Sequence, residues 1–373
     1  MNQHQPAKPM PAPTVMQSPL GARMRINGRD VDYFCGTSYF CLHGHPQVIE
    51  AACAATRQFG MGPGTLAQMQ VYVDLQDELR AWFGAEHVVS LISGYSSPMA
   101  MLQGLRDDFD LILIDAATHY SARDAIPTLD KPVHSFRHLD AGSLAEELAR
   151  YVKPGKRPVI VTDGVFPSSG ALAPLADYRQ AMAPYDGAIL AIDDSHGVGA
   201  LGSSGRGALQ HFGLEAEGNY LAGTLSKAFG ALGGIIPGSR ALADKIAANA
   251  MIMRGASPVP PAAAAAAIAS LRVLKETPAM RANLVRNVSH MRAGLRKLGF
   301  VLADTPVPIV SVRGDVDFDG LRQRLDARDI VVKVTKASGY SDAPDVPTMR
   351  LAVFSEHSPE QIDRLLSSMA ELL

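Results

Sequence analysis

Lys227 lies within Gly223-Thr224-Leu225-Ser226-Lys227-Ala228-Phe229-Gly230, among small and apolar residues at the end of an apparent strand. An ammonium group is costly to bury, so burial here lowers the lysine's basicity and leaves a neutral amine for imine formation with a carbonyl. The same local sequence also suits a loop lysine with its charge in water, and the residues upstream decide between the two. Residues 188–196, Ala-Ile-Leu-Ala-Ile-Asp-Asp-Ser-His, form a short apolar run that ends in two carboxylates and a histidine. A buried parallel strand delivers polar groups at its carboxyl end, where open α/β sheets bind ligands. Asp193 precedes Lys227 by 34 residues, about the span of one strand–helix–strand unit.

A lysine for an aldehyde and a carboxylate for a pyridine nitrogen are what pyridoxal 5′-phosphate (PLP) requires, because the carboxylate keeps the ring protonated and able to accept electrons. The surrounding sequence is more specific. Asp193-Asp194-Ser195-His196-Gly197-Val198-Gly199-Ala200-Leu201-Gly202, followed by Gly205-Arg206-Gly207 and Thr224-Leu225-Ser226-Lys227, resembles the α-oxoamine synthase family of PLP enzymes. The resemblance runs in matching order from about residue 30 to the C-terminus.

The resemblance implies that Lys227 carries the cofactor and then serves as the base at the substrate's α-carbon, that Asp193 holds the pyridinium proton, and that His196 reaches the phenolic oxygen. It implies that His119, in Ile114-Asp115-Ala116-Ala117-Thr118-His119-Tyr120-Ser121, stacks on the pyridine ring. Ser93-Gly94-Tyr95 ends an apolar run and starts a helical pattern, a place where backbone amides suit a phosphate, and the family match assigns Gly94 and Tyr95 to it. Thr224 is expected to add its hydroxyl there. Ser257, in Gly255-Ala256-Ser257-Pro258, aligns with the segment that crosses to a neighbouring subunit's phosphate. Arg350, in Val346-Pro347-Thr348-Met349-Arg350-Leu351, falls where the family clamps the amino acid carboxylate, for which a planar fork of donors is suited. The implied activity is an acyl transfer: decarboxylative condensation of an amino acid with an acyl-CoA or acyl-carrier thioester, giving an α-aminoketone, in a homodimer whose subunits share each active site.

Several family positions do not match. The family's Asn-Tyr-Leu-Gly-Leu is here Ser38-Tyr39-Phe40-Cys41-Leu42, after Thr37, without the asparagine or the glycine. The stretch Gly64-Thr65-Leu66-Ala67-Gln68-Met69-Gln70-Val71-Tyr72 lacks the family's arginine, Pro98 stands where asparagine is frequent, and Pro167 replaces a serine. These changes spare the cofactor set and fall on the walls where substrates enter. Other PLP chemistry on an amino acid (racemase, aldolase, decarboxylase or aminotransferase) therefore stays open at this point, as does cofactor binding without catalysis.

The elements that must position these groups follow from short apolar runs separated by helical or turn-rich segments: Val88–Ser93, Leu111–Asp115, Val133–His138, Val159–Asp163, Ile189–Asp193, Tyr220–Leu225 and Gly234–Pro237. Seven such runs predict an α/β fold with a mostly parallel, doubly covered sheet, and the resemblance implies the PLP-dependent transferase type I fold, whose large domain carries a seven-stranded sheet. Asn27-Gly28 predicts a hairpin. His45-Pro46 opens one helical pattern, Leu75, Leu79, Trp82 and Phe83 share the face of another, and Pro260-Pro261 precedes an alanine-rich third. After Leu274 the composition shifts, and Val301-Leu302, Ile309–Val312, Ile330–Val334 and Met349–Phe354 predict the strands of a small α+β domain. The expected division is 1–44 (arm and hairpin), 45–274 (large PLP-binding domain) and 275–373 (small C-terminal domain).

At 373 residues the chain is long enough for such a pair of domains. A net charge of −2 without a dense Lys/Arg block gives no electrostatic reason to expect nucleic acid or membrane partners. Cys35, Cys41 and Cys53 have no CxxC spacing and fit a reduced, cytoplasmic protein rather than a disulfide framework or a zinc site. His43 and His45, two apart with no carboxylate nearby, predict a turn contact rather than a metal site. Residues 1–20 have no apolar core of a signal peptide and are expected to form an arm across a partner subunit.

Overall fold

The computed structural model describes residues 14–62, 68–336, 341–342 and 345–373. Strands β1 (Arg23–Ile26) and β2 (Arg29–Tyr33) pair antiparallel around Asn27 and Gly28. Both turn residues have positive φ, 49° and 77°, which two-residue hairpins of this twist need. Helix α1 (Pro46–Phe59) begins with proline in its first turn, and α2 (Gln70–Phe83) buries Leu75, Leu79, Trp82 and Phe83.

From there strands alternate with helices: β3 (His87–Leu91), α3 (Ser97–Gly104), β4 (Leu111–Asp115), α4 (Tyr120–Arg123), β5 (Val133–Phe136), α5 (Ala141–Tyr151), β6 (Pro158–Asp163), α6 (Leu175–Met182), β7 (Ile189–Asp193), α7 (Ala208–His211), β8 (Asn219–Thr224) and β9 (Gly234–Gly238). The seven strands from β3 to β9 form one sheet in the order β3-β9-β8-β7-β6-β4-β5. All neighbours are parallel except those of β9, which runs antiparallel to β3 and β8. Alternate side chains of a strand point to opposite faces, and here both faces are covered. Leu111, Leu113, Ile160, Leu190 and Ile192 join one core cluster, while Ile112, Ile114, Val159, Val161 and Ala191 join another. All seven sequence-derived runs fall on these strands, with bounds differing by one or two residues.

Helices α8 (Arg240–Asn249), α9 (Pro261–Glu276) and α10 (Ala279–Lys297) lead to β10 (Ile309–Val312), α11 (Phe318–Asp326), β11 (Ile330–Val331), β12 (Lys333–Thr335), β13 (Thr348–Ala352) and α12 (Pro359–Leu372). Strands β10, β13 and β12 make a small antiparallel sheet, whereas β11 pairs with β2 of the N-terminal hairpin. The run Ile330–Val334 is therefore two strands in two sheets, not one. Val301-Leu302 is not a strand at all, and Val301 is 96 % exposed. Arginine side chains take the backbone acceptors that a neighbouring strand would have used: Arg292 donates to the carbonyl of Ala303, and Arg296 to those of Leu302 and Ala303.

Candidate active site

Three parallel strands end in carboxylates, and their surroundings give them different uses. Asp115, at the end of β4, accepts from the Ala117 and Leu139 amides, His138 Nδ1 and the Tyr178 hydroxyl, which commits it to holding loops. Asp163 and Asp193, which end β6 and β7, are direct register partners and both line a cavity of about 250 Å³. Ligand pockets usually measure roughly 300–1,000 Å³, so this one is compact. A larger groove of about 470 Å³ between α1, α2 and α9 has no lysine in its wall.

Lys227 lies in the cavity wall just past β8. Burial lowers its pKa from 10.5 to about 8, against the opposing pull of Asp193 and Asp163. The neutral amine expected from the sequence is thus accessible near physiological pH. Asp193 Oδ2 accepts from Ser121 Oγ at 2.6 Å, and Oδ1 accepts from the Ser195 amide at 3.1 Å. Burial and the adjacent Asp193 push Asp163 well above the usual carboxylate range. Its Oδ1 accepts from the His119 amide at 3.0 Å, tying the β4–α4 turn to β6. Asp163 was not singled out from the sequence, although it ends its apolar run just as Asp193 does.

His196 lines the same cavity, and burial drives its pKa well below the usual histidine value, so the ring is neutral. Its Nδ1 lies 2.7 Å from the hydroxyl of Tyr39, which is fully buried and has its own pKa raised by burial. A buried phenol must donate its proton, which assigns Nδ1 as acceptor and leaves the ring proton on Nε2. Tyr39, like Leu42, is a retained member of a motif that has lost its asparagine and glycine, and its pairing with a residue 157 positions away is a contact no local pattern reveals.

His119 starts α4, with its Nδ1 2.7 Å from Ser121 Oγ. Burial lowers its pKa, with Asp193 opposing. Its ring lies edge-on to Tyr95, 6.2 Å between centroids. Gly94, Tyr95 and Thr224 meet on the next side of the wall. A Cβ at position 94 would come within 2.5 Å of the Thr224 side chain, so only glycine lets the 94–96 turn approach β8 this closely. Pro98 stands in the first turn of α3, where a missing N–H forfeits no helical hydrogen bond.

Arg350, on β13, is buried behind this wall rather than in it. Its Nε donates to the carbonyl of Pro167 at 2.7 Å, and among the described residues it has no carboxylate partner in an ion pair. Asp342 accepts from the Ser168 and Ser169 amides at 2.8 and 2.7 Å, so the C-terminal part of the chain grips the turn after β6 from two sides. Ser257 is exposed and is not part of its own chain's cavity wall. Of the altered entrance stretch, residues 64–67 lie outside the described residues, while Met69, Gln70 and Val71 enter α2. His43 does more than the expected turn contact: it bridges Ser38 Oγ at 2.6 Å and the Ser226 carbonyl at 3.1 Å, beside Lys227.

The family model for aminotransferase class I and II matches residues 37–369. The chain belongs to that family. Among curated proteins it is 33% identical over 370 residues to 8-amino-7-oxononanoate synthase of Nitrosococcus oceani, covering 96% of each chain. It is 34% identical to 8-amino-7-oxononanoate synthase of Methylococcus capsulatus, covering 96% of this chain and 93% of that one. A solved serine palmitoyltransferase from Sphingomonas wittichii superposes with a TM-score of 0.87 at 26% identity, over 96% of this chain and 91% of that one. An 8-amino-7-oxononanoate synthase structure from Francisella tularensis shares the fold, with a TM-score of 0.77 at 21% identity over 92% and 97% of the two chains. Within its family the chain stands among the α-oxoamine synthases, with the PLP-dependent transferase type I fold.

PLP is the cofactor of this group, and the residues present fit it. The wall offers an amine of lowered basicity, a carboxylate at a strand end, a neutral histidine with a ring proton to donate, and a glycine turn closed on a threonine. Among the described residues no cluster of His, Cys, Asp and Glu could hold a metal ion.

Proposed function

We propose that this protein is a PLP-dependent α-oxoamine synthase that joins the α-carbon of an amino acid to the acyl carbon of a thioester, with loss of the thiol and of carbon dioxide. One observation carries the reading: Lys227, Asp193, His119 and His196 wall a single cavity at the carboxyl ends of parallel strands. When bound, PLP supplies an aldehyde for amine exchange and a protonated ring that accepts electrons. Asp193 holds the proton at the ring nitrogen, and His196 Nε2–H donates to the phenolic oxygen. The Gly94 amide would hold the phosphate, joined by the Tyr95 amide and the Thr224 hydroxyl on exchanging their present acceptors, Ser93 Oγ and the Gly233 carbonyl, for it, and by Ser257 of a second copy. His119 covers the ring face. Lys227 Nζ would hold the cofactor's aldehyde carbon and, as a free amine, would take the proton from the substrate's Cα. Arg350 would receive the substrate carboxylate with the guanidinium donors that the Pro167 and Gly36 carbonyls do not use.

The assembly is a homodimer in the cytoplasm, built from an arm and hairpin (1–44), a large domain (45–274) and a small one (275–373). Among the described residues, no helix is long and apolar enough to cross a membrane. The deciding experiment incubates the enzyme with each amino acid in deuterated water, with and without acyl-CoA or acyl-carrier-protein donors, and follows free thiol, carbon dioxide and α-deuterium. Thiol release that requires both substrates is the expected result. Deuterium exchange with inversion and no thiol from any donor would instead make the enzyme a racemase.

A further inference from the structure

We propose that the Ser121 hydroxyl is a relay that joins the protonation of His119 to that of Asp193. Ser121 Oγ lies 2.7 Å from His119 Nδ1 and 2.6 Å from Asp193 Oδ2, and the serine is 1 % exposed. Two hydrogen bonds in a row hold two protons, and the three groups allow two arrangements. In one, Nδ1–H donates to Oγ and the hydroxyl donates to an ionised Asp193. In the other, a protonated Asp193 donates to Oγ and the hydroxyl donates to Nδ1. The Ser121 amide, 3.2 Å from Nδ1, supports the second arrangement because it also needs the Nδ1 lone pair, whereas the Ser121 hydroxyl placed to donate to Asp193 Oδ2 supports the first.

The two arrangements interconvert without charging the serine. A proton arriving at Nε2 of neutral His119 makes the imidazolium. Its Nδ1 proton then moves to Oγ as the Oγ proton moves to Oδ2, leaving neutral His119 and neutral Asp193. The charges that set the balance face this string from several elements. Asp193, Asp342 and Asp124 favour the imidazolium, while burial and Lys227 oppose it. Asp163 and Asp194 lie beside Asp193. The inference deepens the proposed function and rests on its reading of Asp193 as the partner of the pyridine nitrogen. On that reading, the proton state of the histidine over the ring sets the charge beneath its nitrogen. Ser121 is thus a positioning residue that acts through His119 and Asp193.

The test records ring-nitrogen NMR of ¹⁵N-histidine-labelled protein, without and with PLP, for wild type, Ser121→Ala, Ser121→Thr and Asp193→Asn, and for Ser121→Ala combined with Asp193→Asn. Ring-nitrogen shifts report directly which nitrogen of His119 carries the proton. The expected result is that Asp193→Asn changes the His119 tautomer when Ser121 is present and leaves it unchanged when Ser121 is alanine. In the holoenzyme, Ser121→Ala should lower kcat roughly tenfold to a hundredfold, as loss of a hydrogen bond to a charged group does. PLP should stay bound, the amino acid KM should stay within about twofold, and Ser121→Thr should restore most of the rate. Should the alanine variant melt early, Ser121→Cys, with a weak donor of similar size, takes its place. A His119 tautomer that responds to Asp193→Asn equally with and without the hydroxyl overturns the relay. A wild-type protein that fails to bind PLP overturns the cofactor reading instead, and the tautomer result on the free protein stands apart from it.

Discussion

Lys227 owes its chemistry to where its amine is held. An ordinary lysine is almost wholly protonated at neutral pH, whereas burial brings this one down to about 8. Recombination of the cofactor-free protein with PLP should therefore quicken about tenfold per pH unit below 8 and level off above it, because the rate follows the neutral amine. Stopped-flow absorbance checks this, and a rate still climbing toward pH 10 would contradict the burial argument. Lys227→Ala should lose the pyridoxyl label that borohydride fixes on the wild type, as read by mass spectrometry of the digested protein. Gly94→Ala should weaken PLP affinity more than it weakens folding, since the new Cβ would stand 2.5 Å from Thr224 at the proposed phosphate cradle. Equilibrium dialysis against a melting curve separates the two effects. The groups readable in the sequence itself were those that end apolar runs or sit in a contiguous motif, Lys227, Asp193 and His196, whereas His119 came from the family match alone. Tyr39, His43 and Ser121 act through contacts with partners on other elements, and Asp163 needed only the same reading that found Asp193.

At the scale of elements, the large sheet was legible because its strands are short runs bounded by turns, and its central strands β4, β6 and β7 are buried along their whole length and read as continuous apolar runs. The C-terminal part was less so. Ile330–Val334 divides because β11 is claimed by β2 and β12 by β13, and the pairing of Ile330 with Asp32, at the other end of the chain, leaves no local trace. One side chain fastens that distant union. His357 stacks between Phe34 and Phe354, at 4.3 and 5.2 Å between ring centroids. Its Nδ1 accepts from the Phe354 amide, and its Nε2–H donates to the Tyr33 carbonyl. Protonation would cost the first bond, and burial lowers the pKa to about 4. The folded state therefore resists a proton that the unfolded chain takes up near pH 6.5. This stabilisation is fully present above pH 6.5 and is lost as pH falls toward 4, by up to roughly 3 kcal/mol. Urea unfolding of wild type should weaken across that window, and His357→Gln, though less stable at pH 7, should show a shallower decline. Equal slopes for the two would assign the acid sensitivity to other groups.

At the scale of the whole molecule, the proposed homodimer makes each site a joint product of two copies. Ser257, the residue expected at a phosphate, is exposed outside its own chain's cavity. Met251, Met253 and Leu232 are exposed nearby in sequence or on the turn after Lys227, at 68 %, 39 % and 43 %. Exposed large apolar side chains are what a partner's surface would cover, and in the proposed homodimer the two copies would cover each other symmetrically. Each cavity would then be completed by the other copy's Ser257. A carboxylate at that position should repel the phosphate, so Ser257→Asp and Lys227→Ala should each impair the enzyme as pure dimers. In a mixed dimer, one site combines Lys227 from the first variant with Ser257 from the second and is whole, while the other site carries both defects. Random re-pairing of equal amounts makes about half of the dimers mixed, each with one intact site, so activity should recover to about a quarter of wild type. Sedimentation fixes the dimer, and thiol release assays the mixture before and after subunit exchange. Exchange without recovery, in a dimer shown to have re-paired, would mean that each chain builds its phosphate site alone.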